Sequence, residues 1–162
     1  MPVCYIAFGS NVGDRLSYIL KALNFLQGYG TIRKVSTLYT SRPWGKLDQP
    51  GFLNGVFEFD TKLEPIELLR LLKETEKICG RRPRERWGPR EIDLDILLYE
   101  DNILMLSFLQ IPHIHLLERD FFLFPLLEIN SGLRHPLYGV ELREYAKNLE
   151  NQLKPFACVL PL

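Results

Sequence analysis

The chain opens on an unbroken apolar run over residues 3–8, the pattern of a strand buried on both faces. Leu16, Ile19, Leu20, Leu23 and Leu26 then recur at helical spacing and stop near Gly28. Residues 31–41 and 52–60 read as two further strands, the second setting Leu53, Val56, Phe57 and Phe59 around polar Asn54 and Glu58. Pro65 suits a first helical turn, and Ile66, Leu69, Leu72, Glu76 and Cys79 carry that helix to a C-cap at Gly80. A strand over residues 91–99 follows. Its alternation turns Ile92, Leu94, Ile96 and Leu98 to the core and Asp93 and Asp95 to the other side. The tail adds helical pieces near 121–129 and 141–149 and a strand at 156–160. The order β-α-β-β-α-β predicts an α+β fold, a ferredoxin-like core with C-terminal additions and helices packed on a mainly antiparallel sheet. No repeat or flexible linker interrupts residues 1–162, so one domain is expected.

Charge changes this picture only locally. Lys plus Arg equals Asp plus Glu at 20 each, so the whole chain offers nothing to a polyanion. Residues 81–90 nevertheless hold Arg81, Arg82, Arg84, Arg86 and Arg90 against the single acid Glu85. As a nucleic-acid patch this run is short and lies beside acids, and no aromatic platform of the RNA-binding kind accompanies it, so no nucleic-acid partner is expected. The three cysteines, Cys4, Cys79 and Cys158, are too scattered for a disulfide framework or a zinc site and read as reduced thiols. With no signal peptide and no apolar run near the ~18 residues of a membrane span, the expectation is a soluble cytoplasmic chain without a membrane partner.

Candidate chemistry centres on residues 86–95. Side chains two apart on a strand share a face, which places Asp93 and Asp95 about 6–7 Å apart along it. Oxygen ligands so spaced suit Mg²⁺, which takes one or two carboxylates and fills its shell with water and substrate phosphates. Arginine forks just upstream match phosphate oxygens. Acids alternating on a strand are usually a solvated face; the arginine cluster and the later His113 shift the balance toward a metal and phosphate site. The turn Gly9-Ser10-Asn11-Val12-Gly13-Asp14 is not a phosphate loop of the Walker type, because Asp14 stands where lysine is required; it reads as a strand-to-helix turn with a polar cap. His113 and His115 lack a third nitrogen or sulfur ligand for zinc, which leaves His113 as a phosphate donor and His115 and His135 without a role. Trp44 reads as a pocket wall.

Four segments together resemble one family. They are Gly9-Ser10-Asn11, the stretch from Gln49-Pro50 to Phe52-Leu53-Asn54, the run from Gly80-Arg81 through Arg86-Trp87-Gly88-Pro89-Arg90 to Asp93 and Asp95, and Pro112-His113 with Arg119 and Phe121. Their order and content are similar to 6-hydroxymethyl-7,8-dihydropterin pyrophosphokinases of the folate pathway. The resemblance implies an enzyme that moves the β,γ-pyrophosphoryl unit of ATP to the hydroxymethyl oxygen of the dihydropterin and releases AMP. It implies two Mg²⁺ ions on Asp93 and Asp95, ATP held by Arg81, Arg86, Arg90, Ile96, His113 and Arg119, and Arg81 and Arg90 acting with the two acids in catalysis. For the pterin it implies Phe52 and Phe121 as stacking faces, Asn54 and Asp93 as polar partners, and backbone groups near Ser41, Arg42 and Trp44. A monomer is expected, and Glu76 matches a family position without an evident role. The loops over residues 45–51 and 80–90 are expected to close as lids once substrate binds. Pro83, Phe108 and Gln110 depart from the family pattern on the nucleotide side. From the residues alone, a non-catalytic nucleotide or metal sensor on the same fold stays open.

Overall fold

The computed structural model describes residues 1–43, 48–156 and 160. Twelve elements follow along them: β1 (Val3–Ser10), α1 (Arg15–Leu26), β2 (Thr31–Val35), β3 (Tyr39–Ser41), β4 (Phe52–Asp60), α2 (Pro65–Ile78), β5 (Asp93–Tyr99), β6 (Leu104–Met105), β7 (Gln110–Ile111), α3 (Asp120–Ile129), α4 (Leu142–Ala146) and β8 (Lys154–Pro155). The main sheet runs β5-β1-β4-β3-β8, with β2 also paired to β4, and every pairing is antiparallel. β1 is therefore central, as its apolar run predicts.

Alternation along β1 divides the interior. Cys4, Ile6 and Phe8 meet α1 and α2 on one face, where Ile19, Leu23, Leu68 and Leu72 are fully buried. Tyr5 and Ala7 point to the other face, which α3 and α4 cover with Phe122, Leu123, Leu126 and Leu142. Burial of these side chains on both faces is the main driving force for the fold. Local signals set the helix ends. Asp14 caps α1 by accepting a hydrogen bond from the Ser17 N–H at 3.1 Å, and Pro65 opens α2. Gly80 leaves α2 with φ +100°, a conformation that favours glycine.

The structure corrects several sequence expectations. The stretch 31–41 is two strands, because buried Ser36 turns its hydroxyl back to accept the Val56 N–H at 3.0 Å while its own N–H donates to the Val56 carbonyl. Leu98 does not share a face with Ile92, Leu94 and Ile96. Opposite Tyr5 and Ile6 the β5 register skips Leu97, a bulge that moves Leu98 into the layer beneath α3. On α2 the buried stripe is Leu68, Leu71, Leu72, Thr75 and Glu76, so Ile66 is exposed and Leu69 only partly covered. β8 lies at 154–155, ahead of the expected strand, and residues 157–159 of that expectation fall outside the described residues.

Candidate active site

Strand register builds the floor of the site. Gly9 of β1 stands between Asn54 of β4 and Asp93 of β5, and Ala7 pairs with Asp95 and Val56. The small side chains of β1 leave open space between the acids on one neighbour and the Phe52 and Asn54 pair on the other. A Cβ at Gly9 would sit 2.9 Å from Asn54 Oδ1 and 3.3 Å from a Phe52 ring carbon, so that close approach requires glycine. The pocket is walled by Ser41, Arg42, Phe52, Asn54, Trp87 and Phe121, with Asp93 and Asp95 at its inner end. Asn54 is buried, and its Nδ2 donates to Ser41 Oγ at 2.5 Å, which fixes the amide's orientation. Arg119 is only 7 % exposed and lies among rings, its guanidinium 5.5 Å from Trp87, 5.6 Å from Phe121 and 5.2 Å from Phe122.

The acids sit in a dense charge network. Asp93 takes Arg81 at 3.0 Å on Oδ1 and Arg90 at 2.9 Å on Oδ2. Asp95 faces His113, whose Nε2 lies 3.8 Å from Oδ1. Burial and the like charge of Asp95 push the Asp93 carboxyl above its ordinary value, against the opposing pull of Arg90 and Arg81. Burial acts on Asp95 too, yet the neighbouring His113 and more distant cations hold that carboxyl below its usual value. Glu76, 3 % exposed on α2, stands behind the pair. One of its oxygens takes Arg81 at 2.8 Å, and the other accepts the Leu94 N–H at 2.8 Å.

A second groove opens on the far side of Asp95. Leu69, Ile96, Leu109, Gln110 and His113 line it, and the exposed rim carries Phe108 and Ile114. A third, walled by Arg81, Arg82, Pro83, Arg84, Arg86 and Arg90, runs beside it along the arginine loop. Of the residues expected at the nucleotide, Ile96 and His113 thus line the second groove, and Arg81, Arg86 and Arg90 the third. Arg119 instead lines the aromatic pocket, which Arg90 reaches as well. Of those expected at the pterin, Ser41, Arg42, Phe52, Asn54, Asp93 and Phe121 all line the first pocket. Trp44 lies outside the described residues.

Asn11 escaped sequence reasoning, which took it for a turn residue. It is 1 % exposed and ties two loops to the end of β1. Its Nδ2 donates to Gln49 Oε1 at 3.0 Å and to the Pro50 carbonyl at 2.9 Å, while its Oδ1 accepts the Arg90 N–H at 2.7 Å. Gln49 completes the link by donating to the Trp87 carbonyl at 2.7 Å. Gln49 and Pro50 of one expected lid are thus linked to Trp87 and Arg90 of the other. Phe122 and Glu91 were also missed; buried Glu91 accepts Arg84 at 2.5 Å and steadies the arginine loop. No spacing rule marks Asn11, because its partners are far along the chain.

An arginine-flanked acid pair lies between an aromatic pocket and an open groove on a ferredoxin-like α+β sheet, an arrangement suited to phosphotransferase chemistry. Residues 5–131 match the family described as 7,8-dihydro-6-hydroxymethylpterin-pyrophosphokinase, and the chain belongs to that family. The chain is 50 % identical over 160 residues to 2-amino-4-hydroxy-6-hydroxymethyldihydropteridine pyrophosphokinase of Aquifex aeolicus, covering 99 % of each. It is 43 % identical over 152 residues to the folic acid synthesis protein fol1 of Schizosaccharomyces pombe, covering 93 % of this chain and 21 % of that protein. Among solved structures, HPPK-DHPS of Plasmodium falciparum superposes with a TM-score of 0.70 at 16 % identity, over 91 % of this chain and 43 % of that one, a likeness in fold.

Proposed function

We propose that the chain transfers pyrophosphate from ATP to 6-hydroxymethyl-7,8-dihydropterin, giving AMP and the dihydropterin pyrophosphate for folate synthesis. The observation that carries this reading is the position of Asp95, which lines both the aromatic pocket and the second groove. Two reactants, one in each, meet at that carboxylate. The pocket suits a flat, amide-rich heterocycle: Phe52 and Phe121 offer ring faces, and the Asn54 amide offers a donor and an acceptor. Ser41 and Arg42 complete its edge. The groove takes the nucleotide along Ile96 and His113, with its phosphates directed to Arg81, Arg86 and Arg90.

The donor set fits magnesium. Asp93 and Asp95 supply two hard oxygens side by side, and no cluster of three His, Cys, Asp or Glu ligands occurs among the described residues. Such a site relies on substrate phosphates and water to fill the shell, which suits Mg²⁺ better than zinc. Two ions, bound on Asp93 and Asp95, would neutralise charge on the triphosphate and favour departure of AMP. The protein's own work is positioning. Arg81 and Arg90 pair with Asp93 and present their remaining guanidinium donors to phosphate oxygens. Glu76 holds β5 and Arg81 in place. Arg119, desolvated among rings, directs its charge toward the seam between the two reactants. Trp87 and Gly88 cover the pocket and keep water from the phosphates.

We propose further that the chain acts as a monomer and as a single domain over residues 1–162. The buried, unpaired thiols of Cys4 and Cys79 suit a reducing compartment such as the cytoplasm. No described helix is long and apolar enough to cross a membrane. The test is release of AMP from ATP and Mg²⁺ with and without the pterin. AMP formed only with the pterin supports the transfer; ATP bound but intact in both cases overturns it.

A further inference from the structure

The arginine loop and the second groove are contiguous, and among the described residues Lys73 of α2 lines both. No sequence motif singles it out. It belongs to a stripe on α2 in which Leu69 lies one turn before it, on the second groove, and Lys77 one turn after it, on the arginine groove. Its side chain is half exposed. Among the described residues its ammonium pairs with Glu76 Oε1 at 3.4 Å, where Arg81 approaches the same oxygen more closely, at 2.8 Å. Glu76 is buried and keeps Arg81 on that same oxygen, so it retains a charge partner when the half-exposed ammonium swings toward an incoming phosphate.

We infer that Lys73 is a further ligand of the nucleotide's phosphates, bridging the groove that takes the base and sugar and the arginine loop that takes the rest of the triphosphate. The inference rests on the proposed use of ATP. A point charge on a four-carbon stem can follow phosphates as they move, which a planar arginine fork held by carboxylates does less readily. The placement also fits the charge ledger. Arg81 and Arg90 are each committed to Asp93, while Lys73 stands nearer solvent, where an incoming polyanion meets it first. Its positive charge reaches Asp93 and Asp95 as well, so it helps offset the acids that would repel an incoming triphosphate.

The bland alternative is a surface lysine that steadies α2 through Glu76, and it predicts a different pattern. The experiment measures binding of AMP, of a non-hydrolysable ATP analogue with Mg²⁺, and of the pterin to wild type, Lys73→Gln and Lys73→Arg. The expected result is analogue binding weakened about tenfold in Lys73→Gln, the size of one charge-assisted hydrogen bond, with AMP and pterin binding within about twofold of wild type and substantial recovery in Lys73→Arg. Analogue affinity unchanged in Lys73→Gln overturns the inference, and so does an equal loss for AMP and analogue. Thermal melting keeps general damage apart from a specific effect. Lys73→Met repeats the test should Gln itself bond to phosphate. The assay also separates this inference from the reading it rests on. If wild type releases no AMP with the pterin while Lys73→Gln still weakens the analogue selectively, the phosphate ligand stands and the transfer reaction falls.

Discussion

Glu76 accepts the Leu94 N–H at 2.8 Å, at the one residue that separates Asp93 from Asp95. β5 is the outer strand of the sheet, so donors on its free side have no strand partner. A buried carboxylate takes that role here, and through its other oxygen it also holds Arg81. Replacing Glu76 with Ala leaves a buried N–H unmet and releases Arg81. The expected loss is about 1–3 kcal/mol of stability in urea denaturation, with a fall in kcat greater than the change in either KM. Glu76→Gln keeps an acceptor for Leu94 and should recover most of the stability but not the grip on Arg81.

The same residue makes a pH prediction. Burial pushes the Glu76 carboxyl up to about 7, against Lys73 and Arg81 and the Leu94 N–H, with Asp93 adding to the rise. A raised acid favours the folded state while it stays protonated. Its contribution is full below the unfolded value, near 4.5, and is lost as pH rises through about 7. At 1.36 kcal/mol per unit this loss is at most about 3 kcal/mol. Stability measured from pH 4.5 to 7.5 should fall less steeply in Glu76→Gln than in wild type. Parallel slopes in the two proteins would rule out the shift.

Asp95→Asn removes a charge where the pocket and the groove meet. Its side chain is 28 % exposed and contributes little to the core, so melting should change by less than about 1 kcal/mol. Turnover should fall by at least about a hundredfold, the scale set by loss of one transition-state electrostatic partner. Raising Mg²⁺ should not restore it. A variant with near-normal AMP release would remove Asp95 from the chemistry.

Much of this arrangement was legible in the sequence, for a physical reason. Period-two alternation put Asp93 and Asp95 on one face, and Phe52 and Asn54 on another, before any contact was known. The ferredoxin-like order of strands and helices followed from runs and breakers such as Gly28, Pro65 and Gly80. What alternation could not carry is anything that interrupts it. The bulge at Leu97 moved Leu98 to the other layer, and the hydroxyl of Ser36 cut one expected strand in two. Long-range polar partners were hidden for another reason. Asn11 lies 38 residues from Gln49 and 79 from Arg90, and local chemistry gives an asparagine between Gly9 and Gly13 a turn role that fits it equally well. Gly9 belongs with these, since the need for hydrogen at that position comes from β4, across the ladder.

That crowding gives a selective probe of the pocket. Gly9→Ala would place a methyl 2.9 Å from Asn54 Oδ1 and 3.3 Å from the Phe52 ring. Both side chains must shift, and both face the proposed pterin. The second groove is lined by other residues, so nucleotide should be spared. KM for the pterin is expected to rise about tenfold, roughly the 1.4 kcal/mol of one disturbed contact, with KM for ATP within about twofold. Phe121→Ala should give the same signature with a smaller rise, from the loss of one stacking face.

Gln49 offers the last test, because it joins two loops through one side chain. Its amide accepts from Asn11 and donates to the Trp87 carbonyl, in a segment where Trp87 holds φ at +65°, a conformation uncommon for a bulky residue. Strain of that kind persists only where neighbours enforce it. Here the enforcement comes from Gln49 on the backbone and from the Arg86 and Arg119 guanidiniums, 5.0 and 5.5 Å from the indole ring. Gln49→Ala removes the backbone tether and keeps the ring contacts. Amide exchange across residues 85–90 should then accelerate in the free protein. Bound pterin with a non-hydrolysable ATP analogue should slow it again, since ligand contacts replace the tether. ATP hydrolysis without pterin should rise in the variant, because a looser cover admits water to the phosphates. Unchanged exchange in the free variant would mean that the aromatic and cationic contacts of Trp87 hold the loop by themselves.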